Sequence, residues 1–237
     1  MSGSTDRSGR DEVDGLRGVL FDMDGTLTDS ERLWTIALER VARSHGGTLS
    51  RSAREAMVGQ DIWNTIDLLH AELGLTLDPR RTAAELNAET EVVFRAGLPF
   101  KPGARELLAA VRAAGLATAL VTATHRPLVD IAMHTLGACN FDVSVAGDEV
   151  RRNKPDPEPY LRAIELLGLN TRDCLAIEDS PAGSASAAAA GIPTLVVPSE
   201  MPVPAGPGRV QAPTLTGLTV RDLAEFRWGL LEPAPAG

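Results

Sequence analysis

The chain has 237 residues, of which 43% are hydrophobic, and a formal net charge of −9, so it can bury the core of a main domain plus a smaller one. No basic stripe is available to grip a nucleic-acid backbone, and no apolar run approaches the length of a membrane span. The two cysteines, Cys139 and Cys174, are too few for a disulfide framework and read as buried packing residues. The expectation is a monomeric protein of the cytoplasm whose partner is a small molecule, not a nucleic acid or a membrane.

The first residues, MSGSTDRSGRDEVDG, lack an apolar signal-peptide core, so residues 1–16 are expected to be a disordered tail. Gly18 to Phe21 reads as a buried strand that ends abruptly in VLFDMDGTLTDS, where Asp22 and Asp24 stand two apart and are followed by Gly25 and Thr26. An unpaired carboxylate carried into the interior costs several kcal/mol, so these aspartates belong at an open strand end or beside a compensating charge. Residues 31–99 hold only helical patterns, such as ERLWTIALERVARS and DIWNTIDLLHAELG, and read as an inserted helical domain.

From residue 100 onward helices and strands alternate. GARELLAAVRAAG, PLVDIAMHTLG and PEPYLRAIELLG are helices ending at Gly115, Gly137 and Gly168. Strands are expected over Ala117 to Val121, Asp142 to Val145, Cys174 to Ile177 and Thr194 to Val197. Ser180 and Pro181 supply a capping hydroxyl and a first-turn proline for a helix that runs to Gly191. Residues 199–237 are expected to wrap the surface, apart from a short helix near Val220 to Leu231. The fold class predicted is α/β, a Rossmann-like doubly wound parallel sheet built from residues 17–30 and 100–237, with a small helical cap domain, 31–99, inserted after the first strand.

Ligands of such sheets bind beyond the carboxyl ends of the strands, and the polar residues of interest fall there: Asp22 and Asp24, Thr122, Lys154, and the pair Glu178 and Asp179. Three carboxylates in one crevice repel one another by roughly 4 kcal/mol per close pair. Lys154 alone does not offset that. An all-oxygen donor set selects a hard divalent ion, and Mg2+ where phosphate completes the octahedron. In this arrangement Asp22 is the candidate nucleophile toward phosphorus and Asp24 the candidate proton donor to a leaving alkoxide. Thr122 offers a hydroxyl, backbone N–H groups around Met23, Asp24 and Ala123 suit the equatorial oxygens, and Lys154 neutralises charge. His125 and Arg126 follow Thr122 closely enough to approach the substrate mouth.

DMDGTLTDS, the Thr122 that closes ALVT, the lysine of NKPDPEPY and the acidic pair of AIEDSPAG resemble the four ordered motifs of the haloacid dehalogenase superfamily. More narrowly they are similar to its phosphatase and phosphoglucomutase-like branch, and the likeness covers about residues 17–200. The resemblance implies Asp22 as nucleophile and Asp24 as general acid and base. It further implies Thr122 and Lys154 as phosphate ligands, Mg2+ on Asp22, the Asp24 backbone oxygen and Asp179, and Glu178 as an orienting neighbour of the ion.

Departures narrow the branch. Trp34 stands where phosphoglucomutases of this type carry a cap histidine, and no lysine between residues 30 and 100 is present to form a Schiff base. Asp24 argues against a dehalogenase, which has no alkoxide to protonate. DSERLW resembles sugar-phosphate phosphatases and pseudouridine 5'-phosphatases. The cap segment MVGQDIWNT, residues 57–65, offers Gln60, Asp61 and Trp63, and with Trp34 these are the expected contacts to the non-phosphate part of the substrate, with no cation for a second phosphate. The reading is a Mg2+-dependent phosphatase of a small monoester such as a sugar phosphate, a pentose 5-phosphate or a C-ribosyl monophosphate. A sugar phosphomutase and a non-catalytic phosphate-binding module are the alternatives.

Overall fold

The computed structural model describes residues 15–57, 62–199 and 201–231. Strand β1 (Gly18–Phe21) is followed by four helices, α1 (Glu31–Ser44), α2 (Arg51–Met57), α3 (Ile62–Leu73) and α4 (Pro79–Arg95). Then come α5 (Ala104–Ala113), β2 (Ala117–Val121), α6 (Arg126–Leu136), β3 (Val143–Val145), α7 (Glu158–Leu167) and β4 (Cys174–Glu178). The last described elements are α8 (Pro181–Ala189), β5 (Thr194–Val196), β6 (Arg209–Gln211) and α9 (Val220–Leu231).

Contacts divide the chain into two compact units, and the first, among the described residues, comprises 15–28, Phe100–Arg126 and 136–231. Its six strands form one sheet in the order β3-β2-β1-β4-β5-β6, and every neighbouring pair is parallel. That is the doubly wound order, with the chain reversing direction across the sheet at β1. The five predicted strands are present, β3 and β5 each a residue shorter than expected. β6 was not predicted. It is a three-residue edge strand, only partly buried, and it lacks the apolar run that marks the interior strands.

Register explains why the polar strand ends meet. Phe21 lies opposite Leu120 of β2 and Ile177 of β4, so the residues that follow all leave the sheet at one level. The ladder runs on past the strands through Asp22 N–H to Ile177 O, 3.0 Å, and Thr122 N–H to Val145 O, 3.0 Å. Side chains alternate between the two faces of a strand. Leu20, Ala119, Val121, Cys174 and Ala176 share an apolar cluster with Tyr160, Ala163 and Ile164 of α7 and Ala187 of α8. Asp22 and Glu178, each two residues beyond a member of that cluster, therefore emerge on the same side.

The second unit comprises Asp29–Pro99 together with Pro127–Thr135, the body of α6. Within it α1 packs against α4, burying Leu33, Ala37 and Val41 at four-residue spacing and, on α4, Leu86, Val93 and Phe94. Asp78 caps α4 by accepting from Arg80 N–H at 3.0 Å, and Pro79 occupies the first turn. Of the cysteines, Cys174 is buried in the sheet, where burial pushes its thiol up to about 12. Cys139 is exposed, contrary to expectation, because it falls in the 3-10 turn Ala138–Asn140 that follows α6. No helix among the described residues is long and apolar enough to cross a membrane.

Candidate active site

At the carboxyl ends of β1, β2 and β4 the first unit gathers Asp22, Asp24, Thr122, Lys154, Glu178 and Asp179. Asp22, Glu178 and Asp179 are buried and place carboxylate oxygens within 4.8 Å of one another. Lys154 Nζ donates to Asp22 Oδ1 at 2.7 Å, to Glu178 Oε1 at 2.7 Å and to the Val121 carbonyl at 2.9 Å. One ammonium thus bridges β1, β2 and β4.

Glu178 is held on both oxygens. Oε1 also accepts the Tyr160 hydroxyl at 2.6 Å, while Oε2 accepts Asp179 N–H and the Ser180 hydroxyl, each at 3.3 Å. Ser180 caps α8 as predicted, accepting Gly183 N–H at 3.1 Å. Gly183 lies so close to the Glu178 carboxylate that a Cβ there would collide with it. Gly25 stands in the same relation to Asp179, with a φ of +81° that an L side chain rarely adopts.

Asp24 is turned toward β2. Its Oδ2 accepts the Thr122 hydroxyl at 3.0 Å and the Thr124 hydroxyl at 2.7 Å, and Thr122 Oγ1 in turn accepts Thr124 N–H at 3.0 Å. The Thr122 hydroxyl, expected to meet a phosphoryl oxygen, donates to Asp24 here. The turn after β2 is pinned again by Asn153, whose Nδ2 donates to the Ala123 carbonyl at 3.2 Å. Met23 is fully buried, and its carbonyl accepts Leu27 N–H, Thr28 N–H and the Thr28 hydroxyl at 3.0, 2.9 and 3.1 Å, closing the loop after β1.

Thr124, Asn153 and Tyr160 were missed from sequence. A second hydroxyl two residues after Thr122, in VTAT, is the spacing at which a threonine oxygen receives a backbone N–H. A lone tyrosine among core residues also signals a buried hydroxyl in need of a partner. Arg126, expected near the substrate mouth, is ion-paired to Glu149 at 2.6 Å.

Of the cap residues, Trp34 is half-buried and meets Phe94 edge-on, with ring centroids 6.1 Å apart. Trp63 on α3 is 53% exposed. Gln60 and Asp61 lie outside the described residues.

Electrostatics favour a cation. Burial, and then the charges of Glu178 and Asp24, push the Asp22 carboxyl up to about 8 against the pull of Lys154. Burial acts to lower Lys154, but Asp22 and Glu178 outweigh it and hold the ammonium pKa above its ordinary value. One ammonium cannot neutralise two buried carboxylates. Tyr160 is pushed well above the usual phenol range by burial and by Glu178, so it serves as a donor. Asp22 Oδ2 is buried without a hydrogen-bond partner among the described residues. An orphaned carboxylate oxygen beside Asp179, in an all-oxygen donor set, fits Mg2+.

The sign of the pH dependence follows. The folded state retains a proton on Asp22 from its ordinary value of 3.8 to about 8 that the unfolded chain gives up, so this group's contribution to stability falls as pH rises through that window and levels off above it. In EDTA, the melting temperature of the wild type relative to Asp22→Asn should fall by several degrees between pH 5 and pH 8. Added Mg2+ should raise the wild-type value more at pH 8 than at pH 5. Scanning calorimetry in both buffers checks it, and a wild-type difference that rises with pH would overturn it.

The model of the haloacid dehalogenase-like hydrolases matches residues 16–191. Hexitol phosphatase A of Escherichia coli (strain K12) is 34% identical over 200 residues, which cover 78% of this chain and 86% of that protein. Validoxylamine A 7'-phosphate phosphatase of Streptomyces hygroscopicus subsp. limoneus is 32% identical over 224 residues, covering 91% and 98%. A crystal structure of a candidate beta-phosphoglucomutase from Thermotoga maritima is similar with a TM-score of 0.73 at 28% identity, covering 91% of this chain and all, 100%, of that one. The chain belongs to the haloacid dehalogenase-like hydrolases.

Proposed function

We propose that this protein is a Mg2+-dependent phosphatase that hydrolyses a small phosphomonoester through an aspartyl-phosphate on Asp22. The observation that carries the reading is the buried Asp22 carboxylate itself, with Lys154 on Oδ1 and, among the described residues, no hydrogen-bond partner on Oδ2. A carboxylate left with one open oxygen at the end of a central strand suits attack on phosphorus better than structural pairing.

In the first step an Asp22 oxygen forms a bond to phosphorus as the ester P–O bond breaks, and Asp24 supplies the proton that the departing alkoxide needs. In the second, Asp24, now ionised, takes a proton from water as the water oxygen bonds to phosphorus, releasing phosphate and restoring the Asp22 carboxylate. Thr122 and Thr124 hold Asp24 to one side of this line. Lys154 offsets the charge that gathers on the phosphoryl oxygens, and N–H groups of Met23, Asp24 and Ala123 bind them. Asp22, the Asp24 backbone oxygen and Asp179 would hold Mg2+, with Glu178 orienting its surroundings. When bound, the ion supplies positive charge to the phosphoryl oxygens and to Asp22.

The names of the relatives, among them a hexitol phosphatase and a phosphatase of phosphorylated carbohydrates, support a phosphorylated sugar or sugar alcohol as the substrate class. Trp34 and Trp63 remain the candidate cap contacts. The site is proposed to work in the cytoplasm on one protomer. Treatment with EDTA should abolish hydrolysis of p-nitrophenyl phosphate, and Mg2+ should restore it while Ca2+ restores it poorly, since Mg2+ keeps the tighter octahedron. Label from a 32P sugar monophosphate should appear in free phosphate. Label on a second hydroxyl would mark a phosphomutase, and binding without release of label would mark a phosphate-binding module.

A further inference from the structure

Tyr160 is the chain's one tyrosine and is fully buried in the apolar cluster beneath the site. Its hydroxyl and Lys154 Nζ donate to the same oxygen, Glu178 Oε1, at 2.6 and 2.7 Å, and Nζ lies 5.2 Å from the centre of the tyrosine ring. An ammonium has three N–H donors, and all three of Lys154 are placed, on Asp22, Glu178 and Val121. For Lys154 to serve a phosphoryl oxygen it must release one acceptor. Release of Glu178 leaves a buried carboxylate oxygen that still has a partner, the Tyr160 hydroxyl; without that partner the oxygen would be stranded at a cost that opposes the exchange.

We propose that Tyr160 is a positioning residue that frees Lys154 to move one N–H from Glu178 to the phosphoryl group, by holding Glu178 in place and presenting a π face to the ammonium. This rests on the phosphatase reading above. Tyr160→Phe keeps the ring and loses only the donor.

The test uses the full chain with Mg2+ and two probes, inorganic phosphate binding by calorimetry and vanadate inhibition of p-nitrophenyl phosphate hydrolysis. Tyr160→Phe should weaken phosphate and vanadate about 10- to 100-fold, the effect of losing a hydrogen bond to a charged group. In a Glu178→Gln background the same change should shift phosphate affinity by less than about 2-fold, because Tyr160 acts through Glu178. Wild-type affinities in Tyr160→Phe, or an equal loss in both backgrounds, would overturn the proposal.

If Tyr160→Phe does not fold, 3-fluorotyrosine gives a single 19F reporter that retains the hydroxyl. Its resonance should move when phosphate binds, and a stationary resonance under proven phosphate binding overturns the proposal equally. Should the wild type bind phosphate yet hydrolyse no ester, the phosphatase reading fails while the phosphate-binding calorimetry and the 19F measurement remain readable.

Discussion

Asp22→Asn should abolish phosphate release, lowering turnover by about 10^4-fold or more, as loss of a nucleophile does elsewhere, while making the Mg2+-free protein more stable at pH 8. The two effects have one cause. Asp22 is buried beside Glu178, and among the described residues Lys154 is the one cation ion-paired to both, so removing the Asp22 charge relieves repulsion in the fold as it removes the attacking group. Loss of activity with a raised melting temperature cannot be ascribed to unfolding. Mass spectrometry of wild type quenched during turnover should show a phosphoryl adduct on residue 22. Asp24→Asn should behave differently. An alkyl phosphate needs a proton on its leaving oxygen far more than p-nitrophenyl phosphate does, so the loss should be about 10^2- to 10^4-fold for the alkyl ester and clearly smaller for the aryl one. Full activity with no adduct in Asp22→Asn, or equal losses for both esters in Asp24→Asn, would end the mechanism proposed.

Lys154→Met should be the most damaging single change to the fold near the site. The side chains of Lys154 and Asp22 are 5% and 8% exposed, and removing the ammonium leaves Asp22 and Glu178 as uncompensated buried carboxylates, which costs about 3–5 kcal/mol and lowers the melting temperature by roughly 10 °C. Mg2+ should recover part of that loss, since it replaces the missing charge, but not the activity. Lys154→Arg should fail as well, because a planar guanidinium cannot direct donors to three strands from one atom. Thermal melts with and without Mg2+ decide it, and a variant as stable as wild type in EDTA would refute the charge balance described.

How much of this was written in the sequence depends on the kind of signal. The interior strands were legible because a parallel sheet covered by helices on both faces demands short, nearly continuous apolar runs. Lys154 stood out as one of two lysines, in the loop after the Val143 strand, and Asp22, Glu178 and Asp179 because each follows such a run with a charge. Their convergence follows from register and two-residue alternation. Edge strand β6 escaped because Arg209, Val210 and Gln211 carry no apolar period. Thr124 and Tyr160 escaped because a threonine in a turn and an aromatic residue on a helix stripe have ordinary structural uses, and it is the fold that brings their hydroxyls to Asp24 and Glu178. The grouping of the α6 body, Pro127–Thr135, with the helical unit has no local marker, since a helix does not announce which neighbour it will pack against.

Gly183 carries a wider consequence. It sits within α8, among the alanines of PAGSASAAA, where alanine would favour the helix by about 1 kcal/mol. Alanine there would strike the Glu178 carboxylate. Selection for heat resistance and selection for turnover therefore oppose each other at a single hydrogen atom, and a consensus or propensity-guided redesign of this helix would spoil the very centre it was meant to preserve.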